Sequence, residues 1–174
     1  TVENSDPTIS SSEITPATGV LSSSTLLCSA TTSDVDETSI FVSYSWTNTT
    51  QGTSLGSDAS LVLTPATAQP NDVIECGISI VDTDGGTDST PESVTVENSS
   101  PVLSSVEITP ATAYNNDILT CSETASDSDA QTLSSTYVWT NTTTGSILGS
   151  SAIIALSSAS ASPNDTLTCD VTVS

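Results

Sequence analysis

The chain has 174 residues with no Lys, Arg or His against 21 Asp and Glu, a formal charge of −21. Lacking cations it cannot displace counterions from a phosphate backbone, which excludes nucleic acid as a partner, and anionic membrane surfaces repel it. No stretch is apolar for long enough to span a bilayer as a helix, so direct membrane insertion is not expected.

Ser and Thr supply 66 residues, a share that fits a disordered stalk. The 34% of apolar residues argue otherwise, because they alternate with polar ones in short runs such as "DVIECGISIV" and "DTLTCDVTV". Alternation with period two marks half-buried strands. In chain order, strands are predicted at 8–15, 24–32, 40–47, 59–64, 73–81 and 91–97, then at 102–109, 117–125, 135–142, 152–157 and 166–173. Turn signals separate them, no helical period competes, and the expected fold class is all-β.

The second set of strands repeats the first. "TVEN" at 1–4 recurs at 95–98 and "EITPAT" at 13–18 recurs at 107–112. After one deleted residue the offset is 93, so that Cys28 maps to Cys121, Tyr44 to Tyr137, Trp46 to Trp139, Pro70-Asn71-Asp72 to Pro163-Asn164-Asp165, and Cys76 to Cys169. An ordered match of this length defines two copies of one module, each the size of a small domain, with boundaries expected at 1–97 and 98–174.

Strand parity puts Leu26 and Cys28 on one face, Val42, Tyr44 and Trp46 on another, and Ile74, Cys76, Ile78 and Ile80 on a third. The second copy gives Leu119 and Cys121, then Tyr137 and Trp139, then Leu167, Cys169, Val171 and Val173. A Cys on an early strand, a Trp on the next and a Cys on a late strand, all inward, form the core of an immunoglobulin-like β-sandwich, with the Trp packed on an inter-sheet disulfide. Glu123 stands where the first copy has Ala30, an inward position that parity does not account for.

Phrases such as "LTCSETASDSDAQTLSSTYVWTNTTTG" and "PNDTLTC" resemble the bacterial immunoglobulin-like repeats, related to PKD and cadherin-like ones, of large secreted or cell-surface proteins. The resemblance covers nearly the whole chain and implies a generic building block more than a particular activity. The sequence departs from antibody domains in a longer Cys-to-Trp gap and in Ile74 and Leu167, which take the place of a corner tyrosine. Two cysteines per copy at the same spacing of 48 favour the bridges Cys28–Cys76 and Cys121–Cys169 over the other two pairings. The alternative is four buried thiols in a reducing compartment; metal binding is disfavoured by the absence of CxxC and His. A bridge over a loop of this length contributes up to about 4 kcal/mol in the chain-entropy picture and places the protein outside the cytosol, at the cell surface or beyond.

No catalytic residue is assigned. "GTSLG" at 52–56 has the spacing of a nucleophile elbow, but no base exists to take the Ser54 proton and the second copy has Ile147 in place of the Ser. Paired carboxylates for glycoside hydrolysis fall in predicted turns, and four of the six aromatics, Tyr44, Trp46, Tyr137 and Trp139, belong to the cores. Four N-glycosylation sequons, at Asn48, Asn98, Asn141 and Asn164, are matches that a Ser/Thr/Asn-rich chain produces by chance.

The acidic loops are the ligand-binding candidates. Asp34 and Asp36, or Asp127 and Asp129, lie between the first Cys strand and the Trp strand; Asp82 and Asp84 follow the second Cys strand; Glu3, Asn4, Asp6, Glu97 and Asn98 lie in the linkers. In an immunoglobulin-like topology these converge at one pole of each module. The resemblance to cadherin-like repeats implies Ca²⁺ there, although Asp also serves turns by itself and no cofactor is required. Ser174 aligns with Val81, so the second copy is expected to lack the last hairpin loop and strand of the first. That leaves an open sheet edge, which a longer array or a strand from a neighbouring subunit would complete. With no initiator Met, the chain is expected to be a piece of something longer or a processed form. The expected role is structural: a tandem-repeat segment of an extracellular fibre, stalk or matrix protein whose partners are neighbouring repeats or identical subunits. The competing expectation is a Ca²⁺-dependent adhesin or ligand-binding module.

Overall fold

The computed structural model describes residues 3–174, in which thirteen strands and no helix divide between two compact units, one ending at Ser99 and the other Ser100–Ser174. In the first unit β1 (Thr8–Thr15), β2 (Thr25–Ser33) and β5 (Ser60–Val62) form an antiparallel sheet in the order β1-β2-β5. The second sheet has the order β4-β3-β6-β7, from β4 (Thr53–Gly56), β3 (Phe41–Asn48), β6 (Val73–Val81) and β7 (Thr87–Thr95). The two sheets face each other across one core. Ile14, Leu26, Cys28 and Leu61 come from the first sheet and Trp46, Ile74, Cys76, Ile78 and Val94 from the second.

The second unit lays its strands in the same order as far as it goes. Sheet β12-β9-β8 combines β12 (Ile153–Ala155), β9 (Ile118–Ser126) and β8 (Val102–Thr109). Sheet β11-β10-β13 combines β11 (Ser146–Gly149), β10 (Ser135–Asn141) and β13 (Leu167–Val173). Its buried cluster is Leu119, Cys121, Trp139, Leu156 and Ala161, with Ile108, Tyr137, Ile154, Leu167, Cys169 and Val171 packed around it.

Alternation decides most of this. Along β6 the burial reads in and out residue by residue, with Ile74, Cys76, Ile78 and Ile80 at 1% exposure or less. Two elements depart from the sequence reading. β4 and β11 were expected to be turns, and each is a four-residue strand beside the Trp strand that enters through a bulge opposite Trp46 or Trp139. β7 begins at Thr87 rather than 91, and runs through Pro91, because it is a sheet edge where one N–H can be missing. Val42, expected inward, is exposed near the start of its strand, and Tyr44 is half-buried against the core rather than inside it.

Candidate functional site

Each unit is braced through its interior. Cys28 on β2 is joined to Cys76 on β6, and Cys121 on β9 to Cys169 on β13, each bridge linking the two sheets over a sequence separation of 48. Trp46 is the ladder partner of Cys76 and Trp139 of Cys169, so each indole lies on the inward face beside its bridge. The indole N–H groups donate to the Asp58 carbonyl at 2.8 Å and the Ser151 carbonyl at 2.9 Å, which lets both rings stay buried with their polar atom satisfied. Free cysteines are absent, and two such bridges belong to an oxidising environment. No helix among the described residues is long and apolar enough to cross a membrane.

A second interior feature went unread in the sequence. Asn48 and Asn141, at the ends of β3 and β10, are fully buried. Asn48 Nδ2 donates to the Thr67 carbonyl at 3.1 Å and to Asp72 Oδ2 at 2.8 Å; Asn141 Nδ2 donates to the Ser160 carbonyl at 3.2 Å and to Asp165 Oδ2 at 2.8 Å. Gln51 adds a further bond to Asp72, at 2.6 Å from Nε2. The Ser162 N–H, then the Asn141 amide, hold the Asp165 carboxyl below the usual Asp value. These side chains pin the loop before β6 or β13 to the strand next to it. Both sequon asparagines, Asn48 and Asn141, are therefore unreachable in the folded chain. The repeated pair Asn…Pro-Asn-Asp, at equal spacing in both copies, was the signal. Glu123 is also explained: its carboxylate accepts the Tyr137 hydroxyl at 2.7 Å; Ser135 and Tyr137 hold it below the usual Glu range, and Glu123 in turn raises Tyr137.

The acidic loops of the first unit do meet at one pole. Asn4 Nδ2 donates to Asp82 Oδ2 at 2.9 Å, and the Ser5 N–H donates to Asp36 Oδ2 at 3.1 Å. Glu37 accepts from both the N–H and the hydroxyl of Thr83. Gly86 is placed so that a Cβ would run into the Asp82 and Asp6 carboxyls and the Asn4 amide. The Asn4 amide, with the N–H groups of Gly86, Gly85 and Asp84, holds buried Asp82 below the usual Asp value. Asp34 and Asp36 face each other. The N–H and carboxyl of Asp36 lower Asp34, the Asp34 carboxyl raises Asp36, and Asp34 Oδ2 is enclosed without a donor.

The other expected ligands do not join this cluster with their carboxylates. Glu3 is exposed, and Asp84, in the Asp82 loop, turns only its N–H to Asp82 while the residue stays exposed. Glu97 Oε1 accepts the Gly19 N–H at 2.8 Å at the opposite end of the sheets, and Asn98 Nδ2 donates to the carbonyl of Ser99 beside it. In the second unit Asp127 Oδ1 accepts the N–H of buried Asp129 at 2.7 Å, the geometry of a local turn. Among the described residues no three carboxylates are disposed to hold a metal ion. Asp34 Oδ1, Asp36 Oδ2, Glu37 Oε2 and Asp82 Oδ1 already accept backbone N–H groups, so the residues present do not fit the Ca²⁺ that cadherin-like repeats imply. Ser54 lies exposed on β4 and not at a strand-to-helix turn. No family model and no curated protein matches the chain.

Proposed function

We propose that the chain is a load-bearing tandem-repeat segment of an extracellular fibre, stalk or surface protein, built from two immunoglobulin-like modules. The observation that carries this reading is the brace itself. The same sheet-to-sheet bridge, at the same separation and beside the same tryptophan, occurs in both units. The strand order supports the immunoglobulin-like assignment, with β1-β2-β5 facing β4-β3-β6-β7 and the fourth strand on the Trp side. A large negative charge without cations keeps such modules soluble and mutually repelling, which suits extended material. The Ca²⁺-dependent adhesive reading has no comparable observation behind it, because the acidic loops serve their own turns.

The test is immunogold labelling of intact cells of the source organism with antibody raised against residues 1–174. Label on fibres or at the cell surface is expected, and label confined to the cell interior would overturn the reading.

A further inference from the structure

The chain's single Phe is not in a core. Phe41, at the start of β3, is 63% exposed and is the ladder partner of Val81 at the end of β6, itself 37% exposed. The two therefore stand side by side on the outer face of sheet β4-β3-β6-β7. Val35, 91% exposed, lies on a loop tied to the same corner, because Glu37 accepts the N–H and hydroxyl of Thr83, two residues beyond Val81. Beside Val81 the face sinks into a cleft of about 430 Å³, lined by Ser43, Ser79, Val81, Thr87, Asp88 and Ser89. Its floor is low because Ser43 and Ser79 are ladder partners and the Ser43 hydroxyl lies down on the Ser79 carbonyl at 3.2 Å. The volume lies within the range of about 300–1,000 Å³ typical of ligand clefts.

The module itself does not require an apolar corner here. At the repeat offset of 93, Val35, Phe41 and Val81 become Ser128, Ser134 and Ser174, and the small pair Ser43 and Ser79 becomes Thr136 and Thr172. The second unit follows another through the same "TVEN" phrase and has serine at all three positions, so attachment to a preceding repeat does not account for the patch either. Apolar side chains held in water at one site and replaced by serine at its copy are the sign of an interaction surface. Carboxylates surround it in sequence and space. Asp34 and Asp36 flank Val35, Asp84 follows Val81 by three residues, and Asp88 lines the cleft. Asp36 and Asp84 are exposed, and the chain has no Lys, Arg or His to neutralise them. A second copy of the chain would set like charge against like, and nucleic acid and anionic lipid are repelled.

We infer that this corner of the first unit is a docking site for a basic protein segment, which lays an aromatic or aliphatic side chain against Phe41 and Val81 and turns Lys or Arg toward Asp36 and Asp84. The apolar contact holds the seated partner, with Phe41 as its anchor. Opposite charge speeds the encounter and rejects acidic competitors, this chain included. The inference goes beyond the structural reading above, since a braced spacer has no need of a partner or of a seat for one.

The test selects phage-displayed random peptides of about a dozen residues on the whole chain, with counter-selection on a chain carrying Phe41→Ser and Val81→Ser. That variant takes the second unit's residues at exposed positions and should melt with the parent. Enriched sequences that combine Lys or Arg with an aromatic or aliphatic residue are expected. The most enriched one, synthesised, should bind saturably in fluorescence anisotropy and weaken as salt rises. It should bind the double variant at least tenfold more weakly and an Asp84→Lys chain at least threefold more weakly. Leu27→Ser with Val62→Ser, which removes exposed apolar groups from the other sheet, should change binding less than twofold. A chain lengthened by residues 1–94 placed ahead of Thr1, which recreates the "TVEN" junction, should bind two peptides. Enrichment without basic residues, binding that survives the double variant or Asp84→Lys, or equal loss in the Leu27/Val62 variant would overturn the inference. So would a single peptide per lengthened chain, which would make a preceding repeat the occupant, or a dimer of the parent chain that the double variant dissociates, which would make it a second copy. None of these outcomes bears on where the protein is located, which the labelling experiment decides separately.

Discussion

Asn48 shows how much a single amide can carry in a chain without cations. Its two donors serve the Thr67 carbonyl and the Asp72 carboxylate, and no Lys or Arg exists to replace them. Asn48→Ala should lower stability by about 1–3 kcal/mol in denaturant unfolding, because it leaves buried acceptors short of a partner. Glycopeptide mapping of folded material should find Asn48 and Asn141 unmodified. The carboxylates divide by sign. Asp82, at the acidic pole of the first unit, and Asp165, beside Asn141 in the second, are held below the unfolded Asp value, so each adds stability that is complete above that value and is lost as pH falls through the folded one. Melting temperature should therefore drop on acidification below about pH 4. Asp36, raised by Asp34, acts the other way, with its contribution lost as pH rises. Asp36→Asn should accordingly raise the melting temperature of the first unit at neutral pH, since the amide oxygen still accepts the Ser5 N–H while the facing charge is gone.

Among the elements, β6 and β13 have nearly the same pattern and different surroundings. β6 is flanked by β3 and β7, whereas among the described residues β13 pairs with β10 alone. Amide exchange over 167–173 should be faster than over 73–81, and equal protection in the free chain would contradict the open edge. The long strands were legible in the sequence, since five or more residues of strict alternation bounded by Gly, Pro or Asp leave little room for another reading. β4 and β11 were not, because "TSLG" and "SILG" are too short to alternate and their glycines read as turns. The first half of β7 escaped because "TDST" ahead of Pro91 is uniformly polar; an edge strand exposed on one face needs no apolar residues there. The loop pole was legible as a place where acidic residues gather. Their use was not, because a carboxylate that caps a turn and one that binds a cation look alike in sequence, and only the positions of the N–H groups separate them.

At the scale of the whole molecule, −21 charges without a single compensating Lys or Arg make self-repulsion the main electrostatic term. Melting temperature should rise with added NaCl as screening increases, and Ca²⁺ and Mg²⁺ at matched ionic strength should act alike. A saturable excess for Ca²⁺ would show that the acidic pole rearranges into a true site.

The internal bridges govern how such a chain would stretch. In each unit the 48-residue span between the two half-cystines cannot pay out under tension while the bond is intact. Pulling on single molecules should thus show short extensions in oxidising buffer, and reductant should add roughly 160 Å of contour per unit, the extended length of the withheld segment. The reach of the tether, and the work needed to extend it, would then track the thiol balance of its surroundings: inextensible where oxygen is plentiful, slack where reducing agents accumulate.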